Sequence, residues 1–324
     1  MNSYLLVFFF LLIMQLSVCV DGNFFVTFCR NYFDDKFKDI FMEVYLERSH
    51  NLEKNLRTIL RNISWRKIIG PNEKVLIKPN FCTHHLENGV TTNIDLLKSL
   101  VDIVSKRTSN VVIGETHSVG KKFEKLIESF DVGCDFINLS NVDSYCHTGV
   151  SGTYNLPMLA SESKIINVPV LKTHTLTGVT MGIKNIFGLI QDKNKSKYHY
   201  KIHEVLVDLV KAIPPDINIL DASNCHSDIE LLLASRDVVS LDIAGCNLLG
   251  LDPLSIKHIA LLSNIDNKVE IQGDSYEDLK LHAKIPIPDR VEKIAMYLQG
   301  NVLTRKILGL PGVYYTAKKI KKRL

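Results

Sequence analysis

The feature that most constrains the fold is an alternation, from Met42 onward, of short apolar runs with longer segments of helical periodicity. The runs VLI, VVI and INIL, within residues 74–80, 110–116 and 216–223, are almost continuously apolar, as is typical of strands buried on both faces of a sheet. Strands that alternate with helices of this length pair in parallel through crossovers. The sequence therefore predicts an α/β fold, with a mostly parallel sheet covered by helices on both faces and a short helical C-terminal extension.

The remaining elements follow the same alternation and define the domain organisation. Further strands are predicted at residues 134–140, 163–172 and 268–274, and helices at 94–107, 121–130, 201–213, 237–250 and 252–262. We expect one α/β domain over residues 42–285. It is preceded by an extension at 1–41 and followed by a basic helical tail at 286–324.

The extension contains an apolar stretch from Tyr4 to Val20 that has three interpretations. Its length and apolarity are those of a signal-peptide core, although no Lys or Arg precedes it. It is somewhat shorter than the roughly 20 residues of a membrane anchor. The third interpretation is that translation starts at Met42. We expect a cytoplasmic protein, with a secreted or membrane-anchored protein as the alternative.

The charge distribution argues against nucleic acid as a partner. The formal net charge of +4 falls to −1 without the five basic residues of 318–323. A nucleic-acid-binding protein usually has a basic face across its folded body, and the body of this chain is close to neutral. The basic tail is either a contact for a membrane surface or a protein partner, or a solvated terminus.

The cysteines argue against an intrinsic cluster. The chain has seven, at positions 19, 29, 82, 134, 146, 225 and 246. No two have C-x-x-C spacing, so we expect no intrinsic iron–sulfur cluster and no zinc ribbon. An odd and dispersed set also fits a disulfide framework poorly, and reduced thiols are the simpler interpretation.

Several polar residues directly follow predicted strands. Lys78 and Asn80 follow the first strand, Glu115 ends the second, and Asp221 ends the INIL strand. In open parallel sheets, ligands bind beyond the carboxyl ends of the strands. Thr92 or Asn93 can cap the helix that begins here, and Thr92 is either a cap only or lies beside N–H groups that suit an anion. We therefore expect Thr92 and the four strand-end residues to contact a ligand.

The strongest candidate segment is VLKTHTLTGVTMGIKNIFGLI, residues 170–190. It places Lys172, His174, Lys184 and Asn185 on an apolar ribbon, with glycines spaced so that backbone can approach a ligand or another element. A buried ammonium group needs an anion, which is either a protein carboxylate, such as that of Glu115 or Asp221, or a ligand. We favour a small phosphorylated or carboxylated ligand held by Lys172 and Lys184. His174 would move a proton near neutral pH.

A metal site is the rival interpretation. His199 and His203 stand four residues apart and would share a helix face, with Glu204 adjacent. The pattern is not H-E-x-x-H, because no second histidine follows Glu204 at the required spacing. Such a pair is usually incidental, and we predict no metal ligands.

The motifs resemble a known family. VLIKPN, GVTTN, IGE, segment 170–190, KYH and ILDAS with the following SRDVVSLDIAGCNLLGLDP occur in this order, as in the domain of unknown function 362 family, over roughly residues 42–265. The resemblance implies an α/β fold. Its members often carry a ferredoxin-type iron–sulfur domain or a secretion signal, and no biochemical role is settled for them. The family's lysine–threonine–histidine and lysine–asparagine motifs match Lys172, Thr173, His174, Lys184 and Asn185.

The chain departs from the family pattern in two ways. The segment after Asp221 is short and contains no glycine, whereas the family usually has a glycine- and proline-rich loop there. The cluster cysteines are also absent.

Taken together, the strand-end residues and segment 170–190 predict an enzyme that acts on a small anion. Its cofactor requirement and its reaction are unknown. The alternative is a non-catalytic ligand-binding or redox-partner module that has lost the iron–sulfur domain and the active-site loop.

Overall fold

The computed structural model describes residues 43–83, 85–87, 89–118, 125–126, 131–223, 225, 229–263, 269–279, 281 and 283–285. All of them belong to one compact unit. The extension at 1–41, the tail at 286–324 and nearly all of the helix predicted at 121–130 lie outside the described residues. The domain boundaries therefore stay predictions.

The strands and helices of the described residues alternate along most of the chain. The strands are β1 (Glu43–Ser49), β2 (Val75–Pro79), β3 (Val111–Glu115), β4 (Asp135–Asn138), β5 (Ser144–Gly149), β6 (Gly152–Pro157), β7 (Lys164–Val168), β8 (Lys172–His174), β9 (Gly178–Thr180), β10 (Ile217–Asp221), β11 (Glu230–Ser235) and β12 (Glu270–Gly273). The helices are α1 (Leu52–Asn62), α2 (Trp65–Ile68), α3 (Ile94–Ser105), α4 (Met158–Ser161), α5 (Gly182–Ile186), α6 (Ile202–Ala212), α7 (Val238–Leu249) and α8 (Lys257–Leu262). None of these helices combines the length and the apolarity that a bilayer crossing requires.

Eight strands form the main sheet, in the order β12-β1-β11-β10-β7-β2-β3-β4. The strands from β10 to β4 are parallel to one another, so their carboxyl ends lie at one edge. β11 is antiparallel to both β10 and β1, whereas β12 is parallel to β1. The predicted α/β class with a mostly parallel sheet is confirmed.

Two hydrophobic cores cover the two faces of the sheet. Side chains alternate along a strand, and in β2 the fully buried Val75 and Ile77 face one core while Leu76 faces the other. Helices α1, α2 and α3 pack on the Val75 side, and α5 to α8 pack on the Leu76 side. Because both faces are covered, the ends of the strands are the places where we expect a ligand to reach polar groups of the sheet.

Two strand predictions were incomplete. The segment after Asp221 was expected to be a short loop, but its second half is the buried strand β11. The segment that opens the domain contains β1, which was not predicted. β11 joins β1 to the parallel strands through antiparallel pairing on both sides, so the parallel pattern expected from strand–helix alternation stops at β10.

Candidate functional site

The carboxyl ends of β2, β3, β7 and β10 bring most of the predicted site residues to one edge of the sheet. Lys78 lies in β2, Glu115 ends β3 and Asp221 ends β10, while Lys172 follows β7 in the separate two-stranded sheet of β8 and β9. Lys184 and Asn185 lie on the short helix α5. The grouping expected from strand order is therefore present, and the contacts of each residue decide its role.

Lys78 and Glu115 form a closed ion pair. The distance from Lys78 Nζ to Glu115 Oε2 is 2.9 Å, and the side chains are 1% and 5% exposed. Lys78 Nζ also donates to the Pro79 carbonyl at 2.7 Å, and Glu115 Oε1 accepts from the Thr116 backbone N–H at 2.8 Å. Lys78 thus has a protein counter-ion.

The ion pair is covered by backbone at Gly188. A Cβ atom added to Gly188 would lie 2.9 Å from Lys78 Nζ and 3.3 Å from Glu115 Oε1, which is too close for an unshifted side chain. The Gly188 carbonyl also accepts a hydrogen bond from Thr116 Oγ1. This glycine of segment 170–190 therefore serves close packing against another part of the protein.

Four buried asparagines form a continuous chain of hydrogen bonds beside the ion pair. Asn80 Nδ2 donates to Asn185 Oδ1 (3.1 Å), Asn185 Nδ2 to Asn167 Oδ1 (2.8 Å), and Asn167 Nδ2 to Asn218 Oδ1 (3.0 Å). Asn185 Nδ2 donates in addition to the Lys78 carbonyl at 3.1 Å. All donations run in the same direction, so aligned amide dipoles strengthen one another.

Lys172 lies at the oxygen end of this amide chain. Its Nζ donates to Asn80 Oδ1 at 3.0 Å and to the Val90 carbonyl, and it lies 3.7 Å from Cys82 Sγ. Burial lowers the pKa of Lys172 below its usual value, and the nearby Cys82 opposes this shift. Lys172 is therefore a partly buried cation held by neutral oxygens.

Lys184 has no such support in the described part of the chain. Its Nζ makes no hydrogen bond or ion pair with the described residues. It makes a cation–π contact with the Phe187 ring, whose centroid lies 5.9 Å away. Burial, which has the larger effect, and repulsion from Lys172 together lower the pKa of Lys184 to about 8. Lys184 is thus a cation that has no acceptor in this part of the chain and that is repelled by a second cation. A bound anion would stabilise such an arrangement.

A buried carboxyl group fixes the helix that carries Lys184. Asp242 on α7 accepts from the Gly182 and Ile183 backbone N–H groups at 2.7 and 3.0 Å. Burial raises the pKa of Asp242 to about 8 despite these hydrogen bonds. A Cβ atom at Gly182 would lie 2.6 Å from Val238 Cγ2 and 2.9 Å from Asp242 Oδ1, so Gly182 also serves packing.

Asp221 and Thr92 make structural contacts. Asp221 is fully buried, accepts from the Asn93 backbone N–H at 2.8 Å and also accepts from the Ser223 hydroxyl. Burial raises the pKa of Asp221. Thr92 Oγ1 donates to the Val168 carbonyl and accepts from the Asn80 N–H. The cap of α3 is Asn93, so the capping alternative applies to its neighbour and not to Thr92 itself.

The histidines differ in their surroundings. His174 Nδ1 accepts from the Leu176 N–H at 3.1 Å, so a neutral His174 carries its proton on Nε2. His199 lies in a 3-10 turn (Lys195–Lys201) before α6, so the prediction that His199 and His203 share a helix face was wrong. His203 instead stacks on His258, with 3.1 Å between their Nδ1 atoms.

The structure adds participants that the sequence analysis missed. Asn167 and Asn218 lie in the strands β7 and β10, and both are fully buried. Cys82 and Phe187 contact the two lysines. Polar residues inside an otherwise apolar strand, as in INIL, were the available signal for the asparagines.

Within the described residues, no group of three or more His, Cys, Asp or Glu is placed to hold a metal ion.

A separate cleft of about 610 Å³ lies at the opposite end of the strands. It is lined by Lys74, Glu162, Lys164 and Asp216, among others. These charges pair with one another, Lys74 with Glu162 at 3.0 Å and Lys164 with Asp216 at 2.9 Å. The cleft therefore lacks the unpaired cation that distinguishes the carboxyl edge.

Comparison with known proteins places the chain in a family. It is 27% identical over 237 residues to a thylakoid-associated protein of Synechocystis sp., covering 64% of this chain and 72% of that protein. Lactate racemase apoprotein from Thermoanaerobacterium thermosaccharolyticum aligns with a TM-score of 0.46 at 13% identity, over 63% of this chain and 56% of that structure. A Thermotoga maritima protein aligns with a TM-score of 0.32 at 12% identity, over 52% of this chain and 50% of its own, so the chain spans only about half of each solved structure. Residues 75–247, more than half of the chain, match the family described as domain of unknown function (DUF362), and the chain belongs to that family.

Proposed function

We propose that this protein is an enzyme that binds a small phosphorylated or carboxylated molecule at the carboxyl edge of its sheet. The observation that supports this proposal is the Lys184 amine, which is partly buried, lacks an acceptor among the residues that the structure describes and interacts electrostatically with Lys172. Two neighbouring cations with little solvent repel each other. An anion between them would remove that repulsion and supply the missing acceptor.

Lys172 and Lys184 are the proposed anion contacts, and His174 is the proposed proton carrier. Lys172 is held in place by Asn80 and the amide chain, so its charge is oriented before a ligand arrives. Lys78 and Glu115 satisfy each other, and Asp221 holds the start of α3. We assign these three residues to the support of the site.

Thermal denaturation with added anions tests the proposal. Inorganic phosphate or acetate, compared with sodium chloride at equal ionic strength, should raise the melting temperature of the parent protein. Lys184→Met and Lys172→Met should abolish that increase. Lys74→Met is the matched control, because Lys74 is a surface lysine at the opposite edge, and it should retain the increase. An anion effect that is equal in Lys184→Met and in the parent would refute the site.

The alternative function, a non-catalytic ligand-binding or redox-partner module, predicts the same anion binding without turnover. For location we propose the cytoplasm. The thylakoid association of the Synechocystis relative and the apolar residues 4–20 support the alternative of a membrane-attached or secreted protein. Sequencing the N-terminus of the natural protein distinguishes the two, because a chain that starts near Met42 lacks the apolar stretch.

A further inference from the structure

The amine of Lys184 meets the conditions for a nucleophile. An amine attacks a carbonyl only in its uncharged form, and burial together with a neighbouring cation favours that form. With its pKa lowered to about 8, about a tenth of Lys184 is uncharged at pH 7, against about one in 3,000 for an ordinary lysine. The lone pair of the uncharged amine is not engaged by any donor among the described residues.

The groups that interact with Lys184 do not supply a counter-ion for its amine. Lys172 repels its charge, and Cys82 has the opposite, weaker effect on its pKa. His258 on α8 also interacts with Lys184, but burial lowers the pKa of His258 to about 3, so this imidazole is neutral near pH 7. None of these three supplies a carboxylate, whereas Lys78 has Glu115.

Lys172 offers a place for a carboxylate beside this amine. Two of its three hydrogens are directed to Asn80 Oδ1 and to the Val90 carbonyl. The third faces Cys82 Sγ at 3.7 Å, a weak acceptor that a carboxylate oxygen would replace with a stronger, charge-assisted bond. The two lysines can therefore take different parts of one small ligand.

Building on the anion site proposed above, we propose that Lys184 forms an imine with a small 2-oxo acid whose carboxylate is bound by Lys172. A 2-oxo acid carries the two groups that these lysines would engage, since its carboxylate is bonded directly to the ketone carbon. The Phe187 ring that lies against Lys184 would stabilise the cationic iminium as it stabilises the ammonium.

The reaction balances without an oxidant or reductant. The Lys184 nitrogen forms a bond to the ketone carbon, the carbonyl π electrons move to oxygen, and one proton passes from that nitrogen to the oxygen to give a carbinolamine. A second proton on that hydroxyl converts it into water, the C–O bond breaks, and the nitrogen lone pair forms the C=N bond. One uncharged amine, one ketone and one proton from solvent thus give one iminium and one water.

Borohydride trapping tests this inference. The full-length protein is incubated with pyruvate at pH 7, reduced with sodium borohydride, digested and mapped by mass spectrometry. We expect one adduct per chain, on the peptide that contains Lys184. It should be absent with propionate, which has no ketone, and weak with acetone, which has no charge. Mapping the adduct in the parent protein makes the result independent of whether a variant folds.

Two variants sharpen the test. Lys184→Arg keeps the charge but cannot form an imine, so its adduct should disappear, whereas Lys74→Arg should react like the parent. If pyruvate raises the melting temperature but leaves no adduct on Lys184, the imine is refuted and the anion site stands. If neither pyruvate nor phosphate binds, both proposals fail. Equal labelling by acetone would refute the role of Lys172 in selecting a 2-oxo acid.

Discussion

The same substitution at two neighbouring lysines should change stability in opposite directions. Lys78→Met leaves Glu115 ionised in a site where its side chain is 5% exposed, and loss of one partner of a buried ion pair costs about 3–5 kcal/mol. Lys184→Met removes a cation that has no acceptor in the described structure. We therefore expect the first variant to lose stability and the second to gain it.

The gain at Lys184 can be estimated from its pKa. A fall from 10.5 to about 8 corresponds to about 3 kcal/mol against the charged form in the folded state. Lys184 is partly exposed, and solvent screening reduces this figure, so we expect a gain of about 1–3 kcal/mol in the free energy of unfolding.

The gain should also depend on pH in a defined direction. Below about pH 8, Lys184 is charged in both states, and the folded protein bears the full penalty. Between about 8 and 10.5, the unfolded chain binds more protons than the folded one, so the stability of the parent rises with pH. The advantage of Lys184→Met should therefore be complete at neutral pH and shrink through this window.

Urea denaturation followed by circular dichroism measures both variants. Lys78→Met/Glu115→Gln is the control for the ion pair, since it removes both charges and should recover most of the lost stability. If Lys184→Met were as unstable as Lys78→Met, and equally so at pH 7 and pH 10, the fold itself would stabilise the Lys184 ammonium. The electrostatic argument for an anion site would then be wrong.

Three further predictions concern the support of the site. Gly188→Ala should cost about 1–3 kcal/mol because its Cβ would lie 2.9 Å from the Lys78 amine, whereas Gly70→Ala, with no contact under 3.5 Å, should be nearly neutral in the same denaturation assay. Asp221→Ala leaves the Asn93 N–H without its acceptor, so the free energy of unfolding should fall by about 1–3 kcal/mol. Burial lowers the pKa of His258 to about 3, so the unfolded chain binds the extra proton between about pH 6.5 and pH 3. The free energy of unfolding should therefore decrease as the pH is lowered through this window. His258→Gln should reduce that acid-induced loss in denaturation curves measured from pH 7 to pH 4.

The parallel half of the sheet could be predicted because its strands carry a strong signal. β2 and β3 are short apolar runs, and each precedes a helical pattern or a turn. The helix boundaries are marked as well, since α7 ends at Gly250, whose φ of 69° favours glycine. β11 was missed because the run ELLLAS has no alternation and follows a polar stretch, so periodicity alone does not distinguish strand from helix. Its antiparallel pairing with β1 depends on residues almost 190 positions apart.

The sequence predicted that these lysines lie at one edge of the sheet, but it could not assign their partners. Lys78, Lys172 and Lys184 were all expected to face an anion, and Glu115 was a candidate partner for the latter two. Which lysine reaches Glu115 is decided by distances of a few ångströms, including the approach of Gly188 to the ion pair. Such distances depend on tertiary packing, and no local pattern specifies them.

The three lysines at this edge represent three different ways of placing a cation in a protein interior. Lys78 has a carboxylate, and Lys172 has carbonyl oxygens aligned by a chain of amides. Among the described residues, Lys184 has an aromatic face and a neighbouring cation but no hydrogen-bond acceptor. Packing does not explain Lys184, because methionine would fill a similar volume without the electrostatic cost. The proposed anion site accounts for this charge, because the carboxylate or phosphate group of a ligand would supply the acceptor that Lys184 lacks among the described residues.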